Sequence, residues 1–177
     1  MINLSNKTPN ILVIGDLIVD HYLWGDCDRI SPEAPVQIVN IKSENTILGG
    51  AGNVVNNLKS LGANADILGV IGDCEVSNEL IKLLSEINVS SKHLIKEKNR
   101  ISSKKCRIIS AQQQVVRYDR ESTEEITIQS QHKILKLFRS VIKNYDVVLL
   151  SDYGKGLLTQ NLTQSLIKIS NENHKKI

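Results

Sequence analysis

Three short stretches of this chain are dominated by apolar residues: "ILVIG" at 11–15, "ADILGVIGD" at 65–73 and "DVVLLSD" at 146–152. Strands buried on both faces read this way, and each run ends in small or acidic residues that suit a turn. Between them the apolar spacing changes to the helical period. In "LGGAGNVVNNLKSLGA" (48–63) a glycine turn leads into a helix with Val54, Val55, Leu58 and Leu61 on one face, and Gly62 is placed to end it. The segment 76–87 repeats the pattern through Leu80, Leu83, Leu84 and Ile87. A long helix is expected over about 124–144, with Ile134, Leu137, Phe138, Val141 and Ile142 facing inward. Thr159 is placed to cap a last helix carrying Leu162, Leu166 and Ile169, and "INVSSKHLI" (87–95) reads as a further strand. This alternation predicts an α/β fold with a parallel sheet and flanking helices.

Two segments break the rhythm. In 22–41, turn residues and the prolines at 32 and 35 precede an alternating run from Val36 to Ile41. In 102–119, "SSKKCRIISAQQQVVRYD", glutamines and arginines mix with valine and isoleucine, which predicts two antiparallel strands with a turn near Ala111. Alternation means one dry and one wet face, so these strands belong to a small exposed sheet that pairs outside the main one as a lid. The dry face is expected to carry Val36, Ile38 and Trp24 on one side and Ile108 and Val116 on the other.

Composition changes this picture little. With 177 residues the chain suits one domain, and at 41% hydrophobic but 3% aromatic its core is aliphatic. A net charge of +3 is too small for a nucleic-acid footprint. The basic stretch 96–107 reads as a solvated strand edge or a phosphate contact, and no aromatic residues are interleaved for base stacking. Cys27, Cys74 and Cys106 stand far apart, without zinc-site spacing. An odd cysteine count and a polar amino terminus predict a reducing, cytoplasmic setting, and no apolar run approaches the roughly 20 residues of a membrane span.

The candidate chemistry gathers at strand ends. Asp16 and Asp20, in "GDLIVDHY" (15–22), lie at and just past the end of the first strand, where ligands of open α/β sheets sit. They read as hydroxyl acceptors or as turn and cap residues. Gly49 and Gly50 let the backbone approach a ligand closely; the helix start behind them supplies free N–H groups, and Asn53 can both donate and accept. The bland alternative is a plain strand-to-helix turn. In "SDYGKG" (151–156), Asp152 and Lys155 flank a turn whose glycines 154 and 156 leave room for a ligand. Lys155 is suited to a phosphate and Asp152 to orienting it or a hydroxyl; a local ion pair between them is the competing reading. Three turns after strands of one sheet should line one crevice.

Taken together, "GDLIVDHYLWGDCDRISPEAPVQIV", "LGGAGNVVNNLKSLGA", "KCRIISAQQQVVRYD" and "LLSDYGKG" resemble the ribokinase-like (PfkB) carbohydrate kinases, above all the heptose 7-phosphate kinase part of bifunctional heptose kinase/adenylyltransferases. The "RISPEAPV" segment carries most of that specificity. The resemblance implies a ribokinase-like, Rossmann-related sheet with a β lid. It implies ATP- and Mg2+-dependent transfer of a phosphoryl group to the anomeric hydroxyl of D-glycero-β-D-manno-heptose 7-phosphate, on the route to ADP-heptose and lipopolysaccharide core. By the same resemblance Asp20, Gly49, Gly50 and Asn53 belong to the sugar site, Asp152 and Lys155 to the turn beside the substrate, and Arg107 and Arg117 of the lid to the substrate-binding set. The lid is also implied to clasp a second copy in a homodimer. No GAGD-type turn, which would hold the catalytic base and anion hole, and no HxGH motif occurs among the 177 residues. The expectation is therefore an amino-terminal part of such a kinase, inactive alone, with base and nucleotide site beyond residue 177 and no catalytic, metal or cofactor residue of its own. The alternatives are a non-catalytic sugar-phosphate-binding or dimerising module, or a kinase for another sugar.

Overall fold

The structure, a computed structural model, describes residues 8–177. Its main sheet contains four parallel strands in the order β5-β4-β1-β8, with β1 at Asn10–Gly15, β4 at Asn64–Ile71, β5 at Leu94–Lys96 and β8 at Val147–Ser151. Successive side chains of a strand point to opposite faces, and the continuous apolar runs are what this arrangement requires. On one face Leu12, Ile14, Leu68 and Val148 pack with Ile134 and Phe138 of α3 (Ile128–Val141) and Leu162, Leu166 and Ile169 of α4 (Gln160–Glu172). On the other face Val13, Ile67 and Ile71 pack with Val55 of α1 (Ala51–Ser60) and Leu80 and Leu84 of α2 (Glu75–Glu86). Two helices thus cover each face of the sheet.

The second sheet runs in the order β3-β2-β6-β7, with β2 at Leu17–Ile30, β3 at Gln37–Gly50, β6 at Ser103–Ser110 and β7 at Gln113–Arg120. The two half-wet segments do pair: β2 lies parallel to β6 from Ile18 opposite Ser103 to Gly25 opposite Ser110. The β6–β7 hairpin turns at Ala111 and Gln112, whose φ values of 48° and 65° both lie in the left-handed region, as a two-residue type I′ connection demands.

Several boundaries differ from the sequence reading. β2 and β3 are each 14 residues long and extend far beyond 22–41. The polar run 42–46 continues as strand because β2 supplies an antiparallel partner for it, with a register shift next to Trp24. α3 begins at Ile128 behind the capping hydroxyl of Thr127, not at about 124. The stretch 87–95 yields only the three-residue β5 after a 3-10 turn at Ser91–His93. Leu61 is 84% exposed, so the inward face of α1 ends at Leu58. Trp24 shares a register row with Ile109, while Ile108 shares one with Leu23 and Val116; Trp24 therefore faces away from the dry side assigned to it. Thr159 caps α4 as expected, accepting a hydrogen bond from the Leu162 amide at 3.2 Å.

Candidate sugar and phosphate site

In the main sheet β1 has β4 on one side and β8 on the other, so the connections leave β1 in opposite directions. That switch point places a crevice beyond the carboxyl ends of β1 and β8. Asp16 sits there, 4% exposed. Its Oδ2 accepts hydrogen bonds from the backbone amides of Tyr153 (2.9 Å) and Lys155 (3.1 Å), and its Oδ1 from that of Leu157 (3.2 Å). Its carbonyl oxygen accepts the first amide of α1, Ala51, at 2.9 Å. Both carboxylate oxygens are thus engaged in shaping the 152–157 turn, and Asp16 is an organiser of the crevice rather than a hydroxyl acceptor.

Asp20 lies one turn of the pleat further on, inside β2 rather than in a loop. Its partner across β3 is Ile47, and its partner across β6 is Lys105. The adjacent Gly49 explains the glycine pair: a Cβ there would come within 2.2 Å of Asp20 Oδ2. Gly50, at φ 55°, would drive a Cβ into the Asp16 carbonyl and serves as the N-cap residue of α1, with no side-chain cap. The glycines therefore make room first for two aspartates. Beyond Ala51, the next amides of the first turn have no intrahelical acceptor, and Asn53 is exposed beside them.

The inner face of the second sheet is ionic. In one register row stand Asp20, Lys105 and Asp119; in the next stand Tyr22, Arg107 and Arg117. Arg107 donates to Asp20 Oδ1 at 2.5 Å and lies 5.1 Å from the centre of the Tyr22 ring, which stacks on Trp24. Burial works against the charged Arg107 guanidinium, but its hydrogen bond and attraction to Asp20 prevail and raise it above its ordinary value. Lys105 donates to Asp119 Oδ2 at 2.7 Å, and Arg117 Nε lies 3.1 Å from Asp119 Oδ1. The hydrogen bond from Lys105, against a smaller effect of burial, holds the Asp119 carboxyl below the usual range.

Lys155 and Asp152 do not pair. Lys155 Nζ donates to Glu121 Oε1 at 2.7 Å, whereas Asp152 Oδ1 accepts the Gly154 amide at 2.8 Å within its own turn. Nor does Gly156 leave room for a ligand: a Cβ there would meet the Glu124 carbonyl at 2.1 Å, while the space beside Gly154 is open. The turn is also clamped from below. Arg100 donates to the carbonyl of Lys155 and to that of Glu124, and it approaches Glu97 Oε1 to 3.5 Å. Burial alone would raise the Glu97 carboxyl; hydrogen bonds from Ser130 and Thr127 and the nearby Arg100 outweigh it and hold it low. Glu97, Arg100 and Glu121 carry no motif, and only their position in space marks them.

A cleft of about 600 Å³ opens at the opposite, amino-terminal edge of the sheet, between Asn10, Asn64, Asp66, His93 and Tyr145. None of the candidate residues lies there. Among the described residues no three His, Cys, Asp or Glu side chains are grouped to hold a metal ion, and no helix is long and apolar enough to cross a membrane.

A parallel sheet with its switch-point crevice, an acidic side chain lying over a Gly-Gly turn, and a cation-lined second sheet beside them gather groups suited to hydroxyls and phosphate at one strand edge. Comparison with known proteins agrees: residues 8–174 match the pfkB family carbohydrate kinases, and the chain belongs to that family. It is similar to the bifunctional protein HldE of Aliarcobacter butzleri, 58% identical over 174 residues, covering 98% of this chain and 37% of that protein. It is 54% identical over 174 residues to the bifunctional protein HldE of Sulfurimonas denitrificans, covering 98% and 36%. The chain thus spans little more than a third of these relatives. Among solved structures, a putative ribokinase from Agrobacterium tumefaciens superposes with a TM-score of 0.68 at 16% identity, over 96% of this chain and 51% of that one. A possible 1-phosphofructokinase from Thermotoga maritima does so with 0.69 at 14%, over 94% and 52%. These two likenesses establish the shared fold.

Proposed function

We propose that this chain builds the sugar-binding part of a kinase that phosphorylates the anomeric hydroxyl of D-glycero-β-D-manno-heptose 7-phosphate, giving the 1,7-bisphosphate. The observation that carries this reading is a set of cations gathered beside one carboxylate. Arg107 pairs with Asp20, Lys105 stands in its register row, and Arg117 and Lys155 join Lys105 through Asp119 and Glu121; this suits a substrate with both hydroxyls and a phosphate. Asp20 accepts from sugar hydroxyls once Arg107 yields one of its oxygens. Asn53 and the first amides of α1 complete the hydroxyl set. The family's chemistry supplies ATP with Mg2+ as the phosphoryl donor, and we assign no residue of this chain to hold either or to act as the base. The close relatives named above support the heptose assignment, as does the "RISPEAPV" segment that ends β2 and connects it to β3.

The test is kinetic, on the complete kinase that carries this chain. Asp20→Ala and Asn53→Ala should each raise the KM for the sugar by about tenfold or more while leaving that for ATP near its starting value, because each removes hydrogen bonds worth about 1.5–3 kcal/mol when a charged partner is involved. An unchanged sugar KM with a raised ATP KM would refute the assignment. Phosphorylation of another phosphosugar in preference to the heptose 7-phosphate would keep the site and change the substrate.

We further propose that the second sheet clasps a copy of itself in a homodimer. Its outer face presents Leu23, Ile108 and Val116 in one row and Tyr118 in the next; Val116 is 45% and Tyr118 54% exposed. A sheet with such a face needs a cover, and a twofold partner supplies one. Val116→Glu should convert the dimer to monomers in light scattering. A dimer that survives both this change and Ile108→Glu places the interface elsewhere.

A further inference from the structure

Lys155 enters the crevice on a fixed backbone. Its amide is held by Asp16 and its carbonyl by Arg100, so only the four-carbon stem is free to move. A free lysine loses rotamer entropy when it is ordered. Glu121, the residue just past β7, removes that freedom in advance. Its Oε1 binds Lys155 Nζ at 2.7 Å, and its Oε2 lies 3.4 Å from Lys105 Nζ. That second oxygen is buried and accepts no hydrogen bond from the described residues. One carboxylate therefore draws two ammonium groups together from different sheets. Lys105 stands in the same register row as Asp20, so the pair is gathered beside the sugar-binding carboxylate.

Charge is left over by this arrangement. Lys155, Lys105 and Arg117 share only Glu121 and Asp119, so three cations meet two carboxylates in a connected chain. All but Arg117 are at most 22% exposed at the side chain, which limits screening by solvent. A bare pair of ammonium groups would repel each other; a single carboxylate between them allows both to stay while an excess positive charge remains for an incoming anion.

We propose that Glu121 is a positioning residue that aims Lys155 and Lys105 at the phosphate of the substrate, without itself touching substrate. The inference rests on the phosphosugar site proposed above and adds to it the residue that orders its two lysines. Glu121→Gln keeps the shape and removes the charge, so Lys155 is released while the fold is preserved.

Two measurements test this. The first needs no activity: acylation footprinting read by mass spectrometry, with inorganic phosphate as the probe. In Glu121→Gln, Lys155 should label severalfold faster than in the parent, with exposed Lys136 unchanged, and phosphate should protect Lys155 in the parent but much less in the variant. Equal labelling and equal protection in both proteins would overturn the proposal. The second is a double-mutant cycle in the complete kinase. Glu121→Gln should lower kcat/KM for the sugar about tenfold, as expected for a misplaced charge partner of the substrate phosphate; Glu121→Asp should recover most of the loss. In a Lys155→Met background Glu121→Gln should have no further effect. An equal loss in both backgrounds would show that Glu121 merely supports the fold. If the parent protein does not phosphorylate the sugar at all, the substrate reading fails, and the footprinting still decides the role of Glu121.

Discussion

Lys155→Met in the complete kinase is expected to lower kcat/KM by about a hundredfold or more, the scale for removing one partner of the charge that develops in the transition state. The side chain is 16% exposed and makes one ion pair, to Glu121. Its backbone bonds to Asp16 and Arg100 are untouched by the substitution, so circular dichroism and the urea midpoint should stay close to those of the parent. A partly exposed ion pair of purely structural value is worth only about 0–1 kcal/mol and would leave turnover intact. A fall smaller than about threefold would therefore remove Lys155 from the site. Lys155→Arg separates the two accounts further. A planar fork cannot replace a compact ammonium in this confined turn, so it should behave nearly as badly as Met.

Asp16→Ala should show the reverse pattern, a loss of stability as well as of activity. Three backbone amides, those of Tyr153, Lys155 and Leu157, lose their acceptor together. Each buried donor left unpaired costs about 1–3 kcal/mol, so a destabilisation of about 3 kcal/mol or more is expected in urea unfolding. Asp16→Asn keeps one carbonyl oxygen and should lose roughly half as much. A loss below about 1 kcal/mol for Asp16→Ala would mean that the turn finds water in place of the carboxylate.

The sequence was readable where structure is set locally. Uninterrupted apolar runs gave β1, β4 and β8, because a strand covered on both faces has no polar side to show. Thr159 was readable as a cap, and Gly62, at φ 89°, as a helix stop. The glycine pair at 49–50 was also marked, although the neighbours that demand it are Asp20 and Asp16. What stayed hidden depends on partners far along the chain. Strand β2 passes through Gly25, Asp26 and Asp28, residues typical of turns, because it is held between β3 and β6. The partner of Lys155 is 34 residues away in a stretch, "ESTEE", that reads as a polar loop. Arg100 reaches the Lys155 carbonyl across 55 residues. Ion pairs of this kind have no period and no spacing, so nearness in sequence pointed to Asp152 instead.

The bonds that Asp16 makes also fix when the crevice can exist. Its three amide partners lie 137 to 141 residues downstream. A ribosome adding about 5–20 residues per second needs on the order of ten seconds to deliver them. During that interval β1 can already pair with β4, and β2 with β3, through contacts nearer in the chain. The Asp16 carboxylate meanwhile waits at an open sheet edge that only β8 will cover. High contact order is therefore concentrated at the crevice end of the molecule. A nascent chain interrupted before residue 157 would hold a formed lid and a formed Gly-Gly turn with no crevice between them, and the exposed flank of β1 would be the surface a chaperone has to shield.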